Sequence, residues 1–402
     1  MTSRLMAVTL GFAVIVATPA AYAQQPTELK TDAVQDSSGN PDAGFVAKMR
    51  RIADETQIVA RLNGDIDGWY PRLGGMTTGS GFAFGPGYRA HVLSRRVFVD
   101  LSAAVTPKAY KAFDAKAEWL QSRYDRVELW TNFRYQDFPQ EDFFGLARAS
   151  SLASRTNYAL ESTDVTALGI FRVKPWMRVG ADLGYFSPTI SPGTDRNFPS
   201  IETRFSDSEA PGLTAQPNFL HTSLFAEIDN RDEPGNPSRG GYYKAAFGIW
   251  DDREREQFDL RRFDGEAAYF VPIVTKTHVI ASRLGVAVVN NAPDERVPFY
   301  FFPYIGGSQT LRSVKEFRFQ DENALWWNTE YRWAAFKYVG VALFFDAGKV
   351  QHGWDEMFRG ELKTAYGVGF RVNTRKRVFA RLDIGTGGNE RRQIFFKLGP
   401  SF

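Results

Sequence analysis

Over most of the chain, apolar and polar side chains alternate with a period of two. In ALWWNTEYRW (324–333), Leu325 and Trp327 share one face of the segment, whereas Asn328 and Glu330 share the other. Successive side chains of a β-strand point to opposite sides of the sheet. A segment with this period therefore presents one apolar and one polar surface, and the pattern predicts strands that separate an apolar environment from a polar one.

The same alternation recurs in many segments. VGVALFFDAG (339–348), AYGVGFRV (365–372) and WMRVGADLGY (176–185) each have one apolar face and one face of polar or very small residues. A soluble β-sandwich also alternates, but its outer faces are less aromatic. We count about fifteen such segments, and single-chain membrane barrels have even strand numbers. We therefore predict an all-β fold, a transmembrane antiparallel barrel of sixteen strands over residues 69–402.

Composition supports a barrel and excludes several other classes. Aromatic residues make up 15% of the 402 residues, and 35 are glycine. The mean hydropathy is only −0.33, as expected where every second strand residue faces lipid. The absence of cysteine excludes disulfides and thiolate chemistry. The net charge is +3 and no basic run is evident, so nucleic acid is not a predicted partner.

The N-terminus reads as a targeting segment. One early arginine is followed by the apolar stretch 5–17 and by small residues ending at Ala23. This arrangement predicts a signal peptide over 1–23, cleaved between Ala23 and Gln24. A membrane anchor is the alternative, but the apolar stretch is short for a span of about 20 residues. Residues 24–68 are then a short mature segment, partly helical or disordered.

No constellation for catalysis or metal binding was identified. His91, His221, His278 and His352 are scattered and lack a metal-ligand spacing. The chain has no G-x-S-x-G elbow at Gly79, and we found no Ser and His paired on one strand face. We therefore expect no enzymatic activity, no metal and no cofactor.

Five motifs occur in a fixed order in the last two-thirds of the chain. They are YQDFPQEDFFGL (135–146), DNRDEPGNPSRGGYY (229–243), GGSQTLRSV (306–314), FFDAGKV (344–350) and the terminal LGPSF. Over residues 130–402 they make the chain resemble the bacterial surface antigen family. These are the BamA/TamA-type outer-membrane assembly barrels, whose superfamily includes two-partner secretion transporters.

The resemblance implies a location and a function. It implies a barrel in the bacterial outer membrane that inserts or translocates proteins, with outer-membrane lipid and lipopolysaccharide around it. The barrel insertion machinery would be its partner during biogenesis, and a protein client is possible. A passive pore or a structural surface antigen with a plugged lumen is the alternative. The segment 24–68 is shorter than one of the family's periplasmic POTRA repeats, so we expect a barrel without them.

The resemblance also implies that the long loop 291–322 folds into the lumen. Its motif here reads Leu311, Arg312, Ser313, Val314, with serine and valine at the family's glycine and aromatic positions. The alternation independently places Glu330 and Asp346 on the lumen face of neighbouring strands. We expect Arg312 to bind Asp346, and Glu330 as a second partner, because guanidinium groups pair bidentately with carboxylates. A solvated loop cation is the alternative.

The C-terminal segment QIFFKLGPSF (393–402) alternates and ends on an aromatic residue. We expect Phe396, Leu398 and Phe402 to form one lipid-facing row. The resemblance implies that such a closing strand is the signal read by the barrel insertion machinery. An ordinary C-terminal strand is the alternative.

Overall fold

The computed structural model describes residues 66–119, 126–146, 150–336, 338–359, 361–373, 378–387 and 390–402. The predicted signal peptide, its cleavage site at Ala23 and Gln24, and the segment up to residue 65 lie outside these ranges. Within them no helix is long and apolar enough to cross a membrane. The helical elements there are short 3-10 turns at Leu152–Ser154, Ile201–Thr203, Phe299–Phe301 and Trp354–Glu356.

Sixteen antiparallel strands of the described chain form one sheet that curls into a nearly closed barrel, which confirms the predicted fold. Two further strands, β12 and β13, pair as a small hairpin. The strands are β1 Gly68–Gly74, β2 Ala83–Val92, β3 Val97–Val105, β4 Lys111–Trp119, β5 Val127–Phe143, β6 Thr156–Lys174, β7 Met177–Pro192, β8 Phe219–Asp229, β9 Gly240–Asp252, β10 Leu260–Pro272, β11 His278–Asn291, β12 Tyr304–Ile305, β13 Phe319–Gln320, β14 Asn323–Trp333, β15 Val339–Gln351, β16 Lys363–Asn373, β17 Val378–Gly387 and β18 Glu390–Leu398.

The two faces of each strand separate as the alternation predicts. On β15, the side chain of Leu343 is exposed on the outside, whereas Ala342 and Phe344 are buried inside. On β16, Tyr366 is exposed outside and Ala365 is buried inside. A shift of one residue in strand register would exchange these faces. The apolar outer row therefore fixes the register of the barrel wall.

The connections between strands define two different rims. Segments such as 93–96, 175–176 and 273–277 are short, and they lie at the end of the barrel where β1 begins and β18 finishes. We call this end the short-turn rim. The segments 193–218 and 292–322 are the longest connections, and they lie at the opposite, long-loop rim. In single-chain barrels of this kind the short turns face the periplasm.

The first and last strands meet at a seam. Among the described residues, every neighbouring pair of barrel strands is hydrogen-bonded except β1 and β18. The two strands are nevertheless close, because a Cβ atom placed on Gly74 of β1 would lie 3.8 Å from Leu398 Cδ1 of β18. At this seam the two strands are therefore adjacent, but among the described residues no backbone hydrogen bonds pair them.

Loops cover the barrel at the long-loop rim. Ile201 of the loop 193–218 and Phe299 of the loop 292–322 are fully buried, and they pack in one cluster with Phe143 of β5. Burial of aromatic and aliphatic side chains of this size stabilises the packed state by about 2 kcal/mol each. The loops therefore form a packed cap over this end of the lumen.

Candidate functional site

The loop between β11 and β14 enters the lumen as a folded hairpin. The strands β12 and β13 pair at its base, and the tip covers residues 306–314. Gly306 has a φ of +134°, which favours glycine, and its N–H donates to Thr310 Oγ1 at 2.8 Å. Gly307 N donates to Val314 O at 2.9 Å. These bonds give the tip a defined shape.

Two apolar residues of the tip anchor it to the barrel wall. Leu311 and Val314 are fully buried and pack against Ala324 of β14 and Ala365 of β16. The small alanine side chains allow the loop to approach the wall closely. The predicted loop motif therefore contributes both an apolar anchor and, between its two apolar residues, the arginine.

Arg312 binds both carboxylates that the sequence analysis named. Its Nε and Nη2 atoms donate to Asp346 at 2.9 and 2.7 Å, and its backbone N–H donates to the same carboxylate at 3.0 Å. Nη1 donates to Glu330. The guanidinium carbon lies 3.8 Å from the centre of the Phe344 ring. The side chain of Arg312 is 2% exposed and both carboxylates are 0% exposed, so the pair is dry.

This ion pair belongs to a larger network on the lumen face. Glu330 also accepts from Arg371 at 3.0 Å and from Arg332 at 2.7 Å. Arg371 donates to Asp383 of β17 at 2.6 Å, and Arg381 donates to Asp383 at 3.2 Å. The side chains of Glu330, Arg371, Arg381 and Asp383 are buried, and that of Arg332 is 13% exposed. Buried charges are tolerated when each is paired and hydrogen-bonded. Every charge of this network has an oppositely charged partner, but Arg332 Nη1 and Nη2 and Arg381 Nε make no hydrogen bond.

The network does not share its cations evenly. Among the described residues Arg312 is the cation in ion-pair contact with Asp346, whereas Glu330 contacts three arginines. Burial alone would lower the pKa of Arg312, but the carboxylates of Asp346 and Glu330 outweigh it and hold that pKa above its ordinary value. Arg312 is therefore always charged, and Asp346 depends on it most.

The barrel wall also holds the backbone of the loop. Asn328 Nδ2 donates to Thr310 O at 2.7 Å, and Arg381 Nη2 donates to Ser308 O at 3.1 Å. At Gly385 of β17 the approach is so close that a Cβ atom there would lie 1.8 Å from Arg312 O. The loop is thus seated on the wall by direct backbone contact.

Sequence reasoning missed part of this site. Arg371, Arg381, Asp383 and Asn328 belong to the network but were not named as site residues. Their signal was present, since each occupies a lumen-facing position of an alternating strand. Ser313, at the family's glycine position, is fully buried and its hydroxyl makes no hydrogen bond.

The C-terminal residue corrects one expectation. Phe396 is exposed on the lipid-facing side, as expected, and Leu398 ends β18. Phe402 does not continue that row, because it packs inside the barrel against a cluster that contains Phe270. Gly399 adopts a φ of +93°, and Pro400 lacks the N–H that a continuing strand needs. The chain therefore turns into the lumen after β18.

The inward tail is tied to the ion-pair network. Arg332 lies over the Phe402 ring at 4.9 Å and Arg283 at 5.2 Å. Ser401 Oγ accepts a hydrogen bond from Arg371 Nη2 at 3.2 Å. Cations over aromatic faces are stabilising, and more so where water is excluded. The tail thus contributes to the lumen filling next to the short-turn rim.

This position predicts different effects for two phenylalanines. Phe402→Ala should lower the free energy of unfolding in detergent by about 1–3 kcal/mol, since a fully buried Phe costs 3–5 and this one is partly buried. Phe396→Ala should instead reduce outer-membrane assembly in cells, with little change in detergent. Heat-modifiable gel mobility and membrane fractionation of both variants test this. Loss of cellular assembly by Phe402→Ala, at unchanged detergent stability, would contradict it.

A turn also covers the mouth of the lumen at the short-turn rim. The β8–β9 connection, residues 230–239, lies within the second resemblance motif. Asp232 shapes it by accepting from the Ser238 and Arg239 backbone N–H groups at 2.9 and 3.1 Å. Gly235 O accepts from Val378 N of β17 at 3.0 Å, although five strands separate β9 from β17 in the sheet order. The turn therefore reaches across the mouth.

A histidine and a serine do share one strand face, contrary to the sequence analysis. His221 and Ser223 both point inward from β8 and are buried. The ring nitrogens of His221 lie 3.3 Å from Asp164 and 3.4 Å from Asp182, and Ser223 Oγ donates to Asp182. The serine is therefore bonded to a carboxylate and not to the imidazole that would have to activate it. In the part of the chain that the structure describes, no cluster suits a metal ion.

Solved barrels of known proteins share this fold. BamA from Haemophilus ducreyi, solved without POTRA domains 1–3, matches with a TM-score of 0.61 at 12% identity, over 83% of this chain and 70% of that one. CdiB from Escherichia coli matches with a TM-score of 0.56 at 10% identity, over 81% of this chain and 61% of CdiB. CdiB from Acinetobacter baumannii matches with a TM-score of 0.50 at 11% identity, over 82% and 59% of the two chains.

The chain spans about three-fifths of the length of the two CdiB proteins, and at these identities the likeness shows the fold alone. No curated protein matches the sequence. The model of the Omp85 superfamily domain matches residues 116–402. This match includes the lumen loop, its wall and the closing strand. The chain belongs to the Omp85 superfamily.

Proposed function

We propose that this protein is an outer-membrane barrel that inserts or translocates protein clients through the seam between β1 and β18. The signal peptide 1–23 would export it, and the barrel insertion machinery would assemble it among outer-membrane lipid and lipopolysaccharide. The observation that carries the proposal is the seam itself. In the described residues no backbone ladder joins its two strands.

An unpaired strand edge is a template for another strand. It presents a row of free N–H and C=O groups, which a second chain satisfies by pairing as an added strand. The strands that meet at the seam are β1 and β18, and among the described residues no ladder joins them. A client hairpin pairing with both strands would continue the ladder on each side of the seam, so that backbone exposed when the strands separate stays hydrogen-bonded in lipid, where unsatisfied groups are costly. The seam therefore suits a client that is itself a β-strand.

The filled lumen favours this lateral route over a route along the barrel axis. The loop tip 306–314, the inward tail after Leu398 and the turn 230–239 each occupy the interior or its mouth. A chain passing along the axis would have to break the dry network around Arg312. A chain entering at the seam would leave that network in place.

Locking the seam should abolish client capture. The chain has no cysteine, so Gly74→Cys with Leu398→Cys creates a unique pair that a short bis-maleimide can bridge. We expect a photoreactive residue at Leu73 to trap client protein in cells, and bridging to reduce the trapped product about ten-fold or more, because edge pairing requires separated strands.

The matched control bridges Val341→Cys and Phe370→Cys, which lie opposite each other on the paired strands β15 and β16. That bridge should leave trapping unchanged. Equal trapping with an open and a bridged seam would contradict lateral entry.

A passive pore is the second candidate function. The inner wall near β1 carries partly exposed ion pairs, Arg72 with Asp114 and Arg89 with Asp100, so this part of the lumen is polar enough for water and ions. A passive pore predicts a steady single-channel conductance that the seam bridge does not alter, and it predicts that no client is trapped at Leu73. Lateral insertion predicts the opposite of both results, namely a conductance that the bridge alters and clients trapped at Leu73.

A further inference from the structure

The turns of the short-turn rim repeat one combination of side chains. In the β2–β3, β6–β7 and β10–β11 turns an exposed apolar side chain stands beside an exposed cation. Val274, at the tip of the β10–β11 turn, is 81% exposed, and Phe336 of the β14–β15 turn is 74% exposed. The exposed apolar residues are Leu93, Trp176, Ile273, Val274, Phe336 and Tyr338, and the exposed cations are Arg95, Arg96, Arg126, Lys174 and Lys276.

Negative charge is nearly absent from these turns. Outside the turn 230–239, their described residues include no carboxylate side chain. Asp67, just before β1, is paired with His91. The long-loop rim differs, because its loops expose many acids. These are Glu202, Glu209, Glu254, Glu256, Asp294, Asp355 and Glu361. Because the long-loop rim also exposes cations such as Arg196 and Arg253, it carries both signs of charge, whereas the described short turns outside 230–239 carry cations alone.

We propose that the short-turn rim is a binding surface for anionic phospholipid headgroups of the leaflet that it faces. The apolar tips enter the boundary between headgroups and acyl chains, as interfacial side chains do. The neighbouring cations then lie at the level of the phosphates, where each attracts negative lipid. Because short turns face the periplasm, the leaflet is the inner one. The inference rests on the membrane location in the proposed function but not on any client.

The distribution of the turns favours a lipid surface over an acidic protein. The combination occurs in the β2–β3, β6–β7 and β10–β11 turns, and the β14–β15 turn adds the exposed apolar residue Phe336, so these features extend around the sheet. A protein docked at the rim would contact one arc of it. A leaflet surrounds the whole barrel and meets all of these turns at one depth, which is what the repeated combination requires.

The test measures lipid selectivity at the barrel surface. The full chain is placed in bilayers of phosphatidylcholine with spin-labelled phosphatidylglycerol or spin-labelled phosphatidylcholine, and the relative association constant is read from the motionally restricted fraction. A basic residue near the surface strengthens binding roughly five-fold. We expect the native protein to favour phosphatidylglycerol about three-fold or more, and the preference to fall at high salt, which screens exposed charges.

The variants separate the rim from the total charge. Arg95, Arg96, Arg126 and Lys174 are changed to Gln on the short-turn rim; Lys276 is left, since it pairs with Asp232. The control changes the same number of exposed cations on the long-loop rim, namely Arg196, Arg253, Arg255 and Arg359.

The rim variant should bring the preference close to one, and the control should keep the native value. Heat-modifiable mobility verifies that both variants fold. A native ratio near one would overturn the proposal and assign the rim to an acidic protein, and an equal decrease in both variants would overturn it by showing an effect of net charge.

Discussion

Arg312→Ala should release the lumen loop without unfolding the barrel. The substitution leaves Asp346 fully buried with one remaining described side-chain donor, the Asn328 amide at 2.8 Å. Breaking a buried ion pair by removing one partner costs about 3–5 kcal/mol. The sixteen-strand wall keeps its backbone ladder, so the loss falls on the loop. We expect protease cleavage within 292–322 and a raised ion conductance, with unchanged heat-modifiable mobility.

The same loop supplies a matched control. Arg296 is a loop arginine that pairs with Asp207, but this pair is exposed to solvent. Exposed pairs contribute about 0–1 kcal/mol, so Arg296→Ala should leave cleavage and conductance near native values. The double variant Arg312→Ala with Asp346→Ala should be no worse than Arg312→Ala, because contacting partners couple non-additively. Equal effects of Arg296→Ala and Arg312→Ala would refute the buried pair as the anchor.

The barrel wall was predictable because its signal is local and repeated. Each strand alternates in the same way, and one error of register would expose a polar row to lipid. The position of Asp346 and Glu330 on the lumen face follows from that alternation alone. Their pairing with Arg312 required one further step, namely the resemblance that directed the loop inward.

Other features depend on contacts between distant segments. The alternation of β18 ends at Leu398, and nothing in its period indicates that Gly399 and Pro400 redirect Phe402 into the lumen. The bond from Val378 to Gly235 joins residues far apart in both sequence and sheet order. Such contacts arise from the closed shape of the barrel. A pattern read along one strand does not contain them.

The packing role of Gly385 is another feature that the pattern of its own strand does not reveal. In the sequence GTGG it reads as a small strand position. In the structure it is the point of the barrel wall that the loop backbone contacts. A Cβ atom there would lie 1.8 Å from Arg312 O and 2.7 Å from Arg312 C. Both are backbone atoms, so no side-chain rotation relieves the overlap. Either the loop or β17 must move.

Gly385→Ala should therefore displace the loop while every charge of the network remains. Overpacking a well-packed site costs about 1–3 kcal/mol, occasionally more, and an overlap with backbone belongs at the upper end. We expect cleavage within 292–322 and increased conductance, as for Arg312→Ala. Gly169→Ala is the control, since its new Cβ would meet only Leu129 Cδ2, at the ordinary contact distance of 3.6 Å.

The two substitutions separate charge from shape as the cause of loop seating. If the ion pair alone held the loop, Gly385→Ala would leave it resistant to protease, because Arg312 could still reach Asp346. If close backbone contact is also required, Gly385→Ala will open the loop and Gly169→Ala will not. Limited proteolysis and single-channel recording on both variants decide between these cases. A Gly385→Ala protein with native cleavage and conductance would contradict this prediction. It would show that β17 shifts to accommodate the new methyl group and that this contact does not fix the position of the loop.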